Sequence, residues 1–262
     1  MKNKIIEIVY LATGSYKNFI GTFIHNIKLF FPGYKKILTI ISDGLEEYND
    51  IFICDDIIMT KVHKIMHLPY PFITYFKYNY INEFCTSNSD YLFYFDADTV
   101  FIDNPNINWE NIIKTMNNSV IVSNHIFYAF DDNNKGVESL FKYNTEKNQK
   151  YSTYIDKDVY NYVIGSFFGG DRIEVKHLCD EIINNITNDL KNSNREWYIP
   201  KFIDEAYLNS VAENKNVNII KDQFVLIYYN DNILMKYNNA FCLHKCFSTE
   251  SKKERIVDSF KE

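Results

Sequence analysis

Apolar and polar residues alternate in blocks along the first part of the chain, and their spacing predicts strands separated by helices. Residues 4–13 predict a first strand, apolar residues then recur at helical spacing up to Pro32, and residues 36–42 predict a second strand. A strand, a helix and a strand joined by short turns form a βαβ unit with parallel strands, whose carboxyl ends meet at the ligand-binding edge of the sheet. Thr13 and Asp43 both fall at that edge.

Strands and helices continue to alternate through the rest of the chain. Further strands are predicted at 91–95, 119–123, 162–170, 217–220 and 224–229, and helices within 67–84, after Asp171 and from Phe202 onward. Asp171 and Glu174 have the spacing of a capping box. Residues 131–158 lack periodicity, which is typical of a mobile substrate loop, and the polar tail from Lys245 is also expected to be mobile. This order of elements predicts an α/β fold.

Composition limits the number of domains and the kinds of partner. With 262 residues and no linker rich in Pro, Gly or Ser, the chain is expected to form one large domain. Its net charge of -6 gives no general attraction to nucleic acid, and Glu7 interrupts an apolar start too short for a signal peptide or a membrane span. Five cysteines without CxxC spacing favour reduced thiols in a cytoplasmic protein. The oligomeric state stays open.

The candidate chemistry begins where the aromatic strand at 91–95 ends in two carboxylates, Asp96 and Asp98. In an extended backbone, side chains at positions i and i+2 project to the same face, so both acids would reach one hard cation such as Mg²⁺ or Mn²⁺. The alternative is a strand that ends in a polar turn. Later in the chain, the acids Asp204 and Glu205 either contribute to a site or complement the dipole of the helix that they begin.

Glycines and small residues before the capping box form a second candidate feature. Gly165, Ser166, Gly169 and Gly170 either permit tight turns or allow a ligand to approach the backbone. Together with an acid pair at a sheet edge, a later acid and a basic tail, they suit a nucleotide-sugar transferase. In that chemistry a cation bridges the diphosphate and stabilises it as the leaving group.

Six short segments in order along residues 5–245 make the chain resemble the retaining glycosyltransferases of family 6, which include the blood-group A and B transferases and α1,3-galactosyltransferase. The segments are Leu11–Tyr16, His67–Thr74, Asp90–Asp98, Asn124–Tyr128, Gly165–Gly170 and Asp204–Asn209. The resemblance implies a GT-A fold, that is, a Rossmann-like nucleotide-sugar-binding domain over 1–245 with a mixed central sheet flanked by helices, followed by the mobile tail 246–262. It also implies α1,3 transfer, with retention, from UDP-galactose or UDP-N-acetylgalactosamine to a galactoside within an oligosaccharide.

The resemblance also implies roles for individual residues. Glu205 takes the catalytic position, as a nucleophile or as a stabiliser of the oxocarbenium-like centre. Asp96 and Asp98 take the metal positions, with Mn²⁺ as the cofactor or Mg²⁺ as its alternative; many bacterial relatives have Asn there and work without metal. The implied acceptor contacts are His125, Phe202 and Glu205. The implied donor contacts are Leu11, Ala12, Thr13, Tyr16, Lys77, Asp96, Ala97, Asp98, Ile164, Gly165, Ser166, Asp204 and Lys245.

This sequence departs from the family pattern at three of these places. Lys77 stands where relatives commonly have Arg, and Lys supplies a point charge in place of a planar fork. Phe202 replaces a Trp, and Ile203 replaces a His. Ile164 and Ser166 lie where the family distinguishes an acetamido group from a hydroxyl at C2 of the sugar; Ser166 is small and polar, while Ile164 is expected to narrow the pocket.

Three other interpretations compete with this one. A family 8, glycogenin-like retaining transferase shares the Phe-Asp-Ala-Asp-Thr-Val pattern, although the late His-x-x-Gly-x-x-Lys metal motif is not found. A haloacid-dehalogenase-like phosphatase would use Asp96 as nucleophile and Asp98 as acid, but its downstream Lys and acidic pair are not evident. A non-catalytic sugar-binding module is favoured if both aspartates are turn residues.

Overall fold

The computed structural model describes residues 4–50, 57–124, 151–154, 162–193, 203–214, 217–220, 225–227 and 242–244. The strands of its main sheet are β1 Ile5–Ala12, β2 Lys35–Ser42, β3 Ile57–Lys64, β4 Tyr91–Asp96, β6 Val120–Asn124, β7 Val163–Asp171 and β8 Asn218–Ile220. These seven strands lie in the order β3-β2-β1-β4-β7-β6-β8. A second sheet of three strands has the order β5-β10-β9, formed by β5 Val100–Phe101, β9 Val225–Ile227 and β10 Cys242–His244.

The main sheet is mixed, and its strand directions create the edge at which the candidate residues meet. β1 pairs in parallel with β2 and β4, as the βαβ pattern predicts, so the carboxyl ends of these strands lie together. β7 runs antiparallel to both β4 and β6. Its pairing with β4 ends where Phe95 faces Phe167, so the first residues of β7 extend past the end of β4. They lie beside Asp96.

Helices cover both faces of this sheet. The helices are α1 Ile20–Asn26, α2 Phe72–Phe84, α3 Trp109–Thr115, α4 Arg172–Asn192 and α5 Ile203–Asn214, and single 3-10 turns occur at Gly14–Phe19, Ile27–Leu29 and Glu46–Tyr48. The prediction that Asp171 caps α4 is confirmed, because its carboxylate accepts hydrogen bonds from the backbone N–H groups of Ile173 and Glu174. The reciprocal bond of a capping box is not formed, since the Asp171 N–H donates to the Ser119 carbonyl oxygen at 3.0 Å. α1 and α4 bury the apolar faces that their spacing predicted.

Two apolar clusters form the core, one on each side of the sheet. Because successive side chains of a strand point to opposite faces, Phe93 and Phe95 of β4 enter the cluster beneath α1, whereas Tyr94 enters the cluster beneath α2, α4 and α5. Aromatic rings fill the first cluster: Phe30 meets both Phe93 and Phe95 edge-on, with ring centroids 5.0 Å apart in each pair. Much of the aromatic content of the chain is therefore structural.

Two of the four small residues in β7 serve packing. A Cβ atom at Gly169 would lie 2.1 Å from Cδ1 of Phe93, the residue opposite it in the ladder. Gly170 has a φ of +138°, and a Cβ there would lie 2.3 Å from the Ser119 carbonyl oxygen. Both positions therefore require glycine because of the backbone conformation and the neighbouring atoms, and not because a ligand approaches them.

Several elements were not predicted from the sequence. β3, α3, β5 and β10 are absent from the predicted pattern, and β9 covers only the middle of the strand predicted at 224–229. Of the predicted loop at 131–158, the structure describes residues 151–154, where the Ser152 N–H and O–H each donate to the Asp189 carboxylate at 2.8 Å. Over the described ranges, no helix combines the length and apolar character needed to cross a bilayer.

A buried ion pair ties the start of α4 to β1. The side chain of Glu7 is fully buried and accepts hydrogen bonds from Thr39 Oγ1 at 2.6 Å, Ser89 Oγ at 3.2 Å and Arg172 Nη1 at 3.0 Å. The guanidinium also donates to the Cys85 carbonyl oxygen at 2.7 Å. Burying one charge of such a pair without the other is costly, so these contacts hold the two segments together.

Arg172→Leu is expected to lower the free energy of unfolding by about 3–5 kcal/mol, because it leaves the Glu7 carboxylate buried without its cation. Urea unfolding followed by circular dichroism measures the change. Lys4→Ala is the control: it breaks the exposed pair between Lys4 and Asp90 and should change stability little. Equal effects of the two substitutions would contradict the importance assigned to the buried pair.

Candidate functional site

A cleft of about 590 Å³ opens at the carboxyl edge of β1 and β4. The end of β1 and the 3-10 turn after it form one wall, and residues 67–70 before α2 form the facing wall. The end of β4, the start of β7 and the start of α5 complete the lining. Ligands commonly bind at this edge of an α/β sheet, where the chain leaves the strands.

Most of the predicted site residues line this one cleft, although they come from six separate elements and the turns beside them. They are Leu11, Ala12, Thr13, Tyr16, Lys77, Asp96, Ala97, Gly165, Ser166, Asp204 and Glu205. His125, Phe202 and Lys245 lie outside the described residues, as does the tail 246–262. Ile164 is 2% exposed and packs in the apolar core. Ile164 does not line the cleft, so the expectation that its side chain narrows the pocket is wrong.

The two aspartates flank a turn. β4 ends at Asp96, and the Thr99 N–H then donates to the Asp96 carbonyl oxygen at 3.1 Å. The argument that both side chains share one face of an extended strand is therefore wrong for Asp98, which follows in the turn. Asp96 lines the cleft, whereas Asp98 is buried and does not line it. Both charges still reach Tyr16: burial raises the pKa of this phenol, and the charges of Asp98 and Asp96 raise it further.

The acids of this turn could hold a cation only together with a ligand. Among the residues that the structure describes, no group of three or more His, Cys, Asp or Glu side chains could hold a metal ion. One oxygen of Asp96 accepts a hydrogen bond from the Tyr94 hydroxyl at 2.8 Å. Mg²⁺ typically binds one or two carboxylates together with substrate phosphates and water. Asp96 and Asp98 supply that number of carboxylates, and a bound phosphate would have to supply the rest.

Lys77 forms a buried cationic centre at the back of the cleft. It is 1% exposed, it forms an ion pair with Asp204, and its Nζ donates to the Gly165 carbonyl oxygen at 3.1 Å. The same Nζ lies 4.5 Å from the centroid of the Tyr94 ring, in a cation–π contact. A buried ammonium needs partners of this kind. Lys77 therefore joins α2 to β7 and α5, and it brings positive charge beside the acids of the cleft.

Glu205 lies at the start of α5 with its carboxylate held by two donors. The Gly165 N–H donates to Oε2 at 2.8 Å and the Tyr162 hydroxyl donates to Oε1 at 2.7 Å. One helical turn later, the Asn209 side chain bonds both the N–H and the C=O of Val163, at 2.8 and 2.9 Å. In this way α5 takes the place of a strand along the part of β7 that extends past β4, and Glu205 is fixed in the cleft.

Ser166 presents a hydroxyl to the cleft. Its side chain is 3% exposed, and Oγ has no hydrogen-bond partner among the described residues. A buried hydroxyl without a partner costs about 1–3 kcal/mol, so such groups in folded proteins usually meet a ligand or water. Ser166 is one of the residues that line the cleft, so a bound molecule that reached this buried hydroxyl would supply the partner that it needs.

Asp43 joins the two walls at one end of the cleft. Its carboxylate accepts from the Gly14 N–H at 3.2 Å, and it lies 3.1 Å from Lys17 Nζ and 2.9 Å from His67 Nδ1. Burial by itself would raise the pKa of Asp43, but the donors of Gly14, Lys17 and His67 outweigh it and lower the pKa. The ionised carboxylate thus connects the turn after β1 with the segment before α2.

Sequence reasoning did not identify the supporting residues Tyr94, Tyr162 and Asn209. Tyr94 lies inside the aromatic strand, where nothing distinguishes its hydroxyl from those of neighbouring tyrosines. Burial raises the pKa of Tyr94 well above its usual range, and the charge of Asp96 adds to this effect, so the phenol remains a donor. Only their positions in the sequence could have indicated a role for the other two residues. Asn209 follows Glu205 by one helical turn, and Tyr162 precedes the small-residue strand.

If the cleft is catalytic, Gly165→Ala is expected to reduce its activity by about 10²-fold, because the new Cβ would lie 2.8 Å from Glu205 Cβ and displace the carboxylate. Gly21→Ala is the matched control: nothing lies within 4 Å of its added Cβ, and the change in a helix should stabilise slightly. Turnover and thermal unfolding of both variants test this. Full activity of Gly165→Ala would show that the Glu205 position is not critical.

No protein-family model matches this chain, and a search of curated proteins found no similar one. The interpretation of the cleft therefore depends on its residues and their geometry.

Proposed function

We propose that the protein is a retaining glycosyltransferase with a GT-A fold. In this proposal it transfers galactose or N-acetylgalactosamine from a UDP-sugar to a galactoside, in α1,3 linkage and with a divalent cation. The observation that carries the proposal is the presence in one cleft of Asp96, at the end of a parallel strand, and of Glu205, clamped against β7. A carboxylate for the diphosphate end and another for the sugar end are what this reaction requires.

The nucleoside is proposed to bind against the first wall of the cleft. Tyr16 is 52% exposed and lines the cleft, so its ring offers a free face to a planar base. From there the diphosphate would reach Asp96, which lines the cleft, and the turn that contains Asp98. A divalent cation bound to these carboxylates would offset the negative charge of the diphosphate as it departs. Lys77 adds a fixed positive charge within the same cleft.

At the sugar end, the bond between the anomeric carbon and the diphosphate oxygen breaks, and its electron pair leaves with UDP. The acceptor hydroxyl oxygen forms the new bond on the same face and gives its proton to the departing diphosphate. Glu205 faces the positive charge that develops on the anomeric carbon. Hydrogen bonds to both carboxylate oxygens reduce nucleophilicity while keeping the negative charge in place, which supports a stabilising role over a covalent one.

The Ser166 hydroxyl is proposed to meet the group at C2 of the donor sugar. This position is supported by its location in the cleft and by its lack of a partner among the described residues. A hydroxyl both donates and accepts, so it suits the C2 hydroxyl of galactose as well as the acetamido group of N-acetylgalactosamine.

An activity screen tests the proposal. Purified protein with Mn²⁺ is incubated with UDP-galactose or UDP-N-acetylgalactosamine and a panel of fucosylated and plain galactosides, and the product linkage is determined by NMR. An α1,3-linked product from at least one pair is expected. A β-linked product would contradict retention. Hydrolysis of a chromogenic phosphate ester that Asp96→Asn abolishes would instead favour a phosphatase.

A further inference from the structure

Tyr162 lies immediately before β7 and is outside the reaction cleft. Its side chain is 3% exposed and does not line the cleft, yet its hydroxyl donates to Glu205 Oε1 at 2.7 Å. We propose that Tyr162 is a positioning residue whose hydroxyl fixes the orientation of the Glu205 carboxylate and keeps it ionised for the transfer reaction. The inference rests on the proposed function, since it assigns Tyr162 a part in the work of that carboxylate.

The geometry explains how one hydroxyl can fix the carboxylate. The Gly165 N–H holds Oε2 at 2.8 Å but leaves the carboxylate free to rotate about that bond. A second donor at Oε1 removes the rotation. The phenol itself is held in place, because the residue after it, Val163, is bound on both its N–H and its C=O by Asn209. The hydroxyl and the amide therefore form two fixed points for the two oxygens.

The charges around Glu205 explain why an extra donor matters. Asp96 and Asp204 share the cleft with Glu205 and are like charges, which favour its protonated form. Lys77 opposes them, but its ammonium forms an ion pair with Asp204. The pKa of Tyr78, on α2, is raised mainly by burial and then by the charge of Asp204. The charge of Glu205 makes a smaller contribution to the same rise, so Tyr78 lies near this carboxylate. Tyr162 thus supplies a neutral donor directly to the Glu205 carboxylate.

Tyr162→Phe removes only the hydroxyl and is the variant that tests the inference. We expect kcat at neutral pH to fall by about ten- to hundredfold, with KM for the UDP-sugar unchanged. The acid limb of the kcat profile should move to higher pH, because a carboxylate that loses a donor is protonated more readily. Tyr207→Phe is the matched control: its hydroxyl donates to the buried Asp189 carboxylate at 3.0 Å, away from the cleft. It should leave both kcat and the acid limb unchanged.

A measurement that does not need turnover separates this inference from the proposed function. The pKa of Glu205 is followed by NMR of protein with ¹³C-labelled glutamate carboxyl groups, and the resonance is assigned by its loss in Glu205→Gln. In Tyr162→Phe this pKa should rise by about one unit or more relative to the wild type and to Tyr207→Phe. An unchanged pKa would overturn the inference even in an active enzyme. A raised pKa in a protein that transfers no sugar would support the contact and refute the function.

Discussion

Glu205→Gln is expected to reduce sugar transfer by about 10²–10³-fold while leaving the affinity for UDP unchanged. Glutamine fills the same volume but carries no charge, so it cannot offset the positive charge that develops at the anomeric carbon. It also presents an amide NH₂ to one of the two donors that hold the native carboxylate, the Tyr162 hydroxyl or the Gly165 N–H. The side chain should therefore lose both its charge and its orientation.

Steady-state kinetics and calorimetric titration with UDP measure the two effects separately. Glu83→Gln, on the exposed face of α2, makes the same chemical change away from the cleft and should leave transfer intact. If Glu205→Gln turns over at a near-normal rate, the carboxylate has no catalytic role. If it instead loses UDP affinity, the cleft has been disturbed more widely than the hydrogen bonds of Glu205 indicate.

Chelation of divalent cations is expected to weaken UDP binding by about 10–100-fold. Asp96 and Asp98 bring two negative charges to the end of β4, and a bound diphosphate would bring more. Without a cation these charges repel one another, whereas a cation would be attracted to both groups. Titration of UDP with Mn²⁺ and with EDTA measures the difference.

Substitution of the acids locates the effect. Asp96→Asn should remove most of the difference between Mn²⁺ and EDTA, because its carboxylate lines the cleft. Asp98→Asn distinguishes a second metal ligand from a buried turn residue: only a ligand would alter the Mn²⁺ dependence. Asp103→Asn, an exposed residue beyond β5, is the matched control and should change nothing. Equal UDP affinity of the wild type with and without chelator would refute metal dependence.

The sequence was most informative where the signal is periodic and local. β1, β2 and β4 have long apolar runs, and each was predicted within a residue or two of its observed bounds. α4 has a complete helical face with a cap, and it begins after Asp171 as predicted. Burying one face of a strand or helix requires apolar residues at a regular spacing, so that spacing indicates the type of element. β3 and α3 were missed because β3 alternates weakly along a sheet edge and α3 has only seven residues.

The short strands show a second reason why elements are missed in prediction from sequence. β5 is two residues long and β10 is three, and they pair with each other although more than a hundred positions separate Phe101 from Cys242. So few residues carry no periodicity. Such strands exist only because the chain on either side brings them together.

The candidate site was also predictable only in part. The order of the elements and the polar residues at strand ends follow from sequence alone, since a parallel arrangement gathers the carboxyl ends of β1, β2 and β4 at one edge. The extended-strand argument for Asp98 failed, because a turn between residues 96 and 99 depends on how the chain leaves the sheet. The spacing of two residues predicts where their side chains point only if the backbone conformation between them is known.

Sequence by itself determined the α/β fold and the identity of the acids at the cleft. Tertiary structure alone decided their partners: Lys77 pairs with Asp204, 127 positions away, and Tyr162 meets Glu205 across 43. These contacts depend on the antiparallel register of β7 and on how α5 lies along it. Hydrogen bonds and ion pairs act over a few ångströms, so only the packed fold selects which of the polar side chains meet.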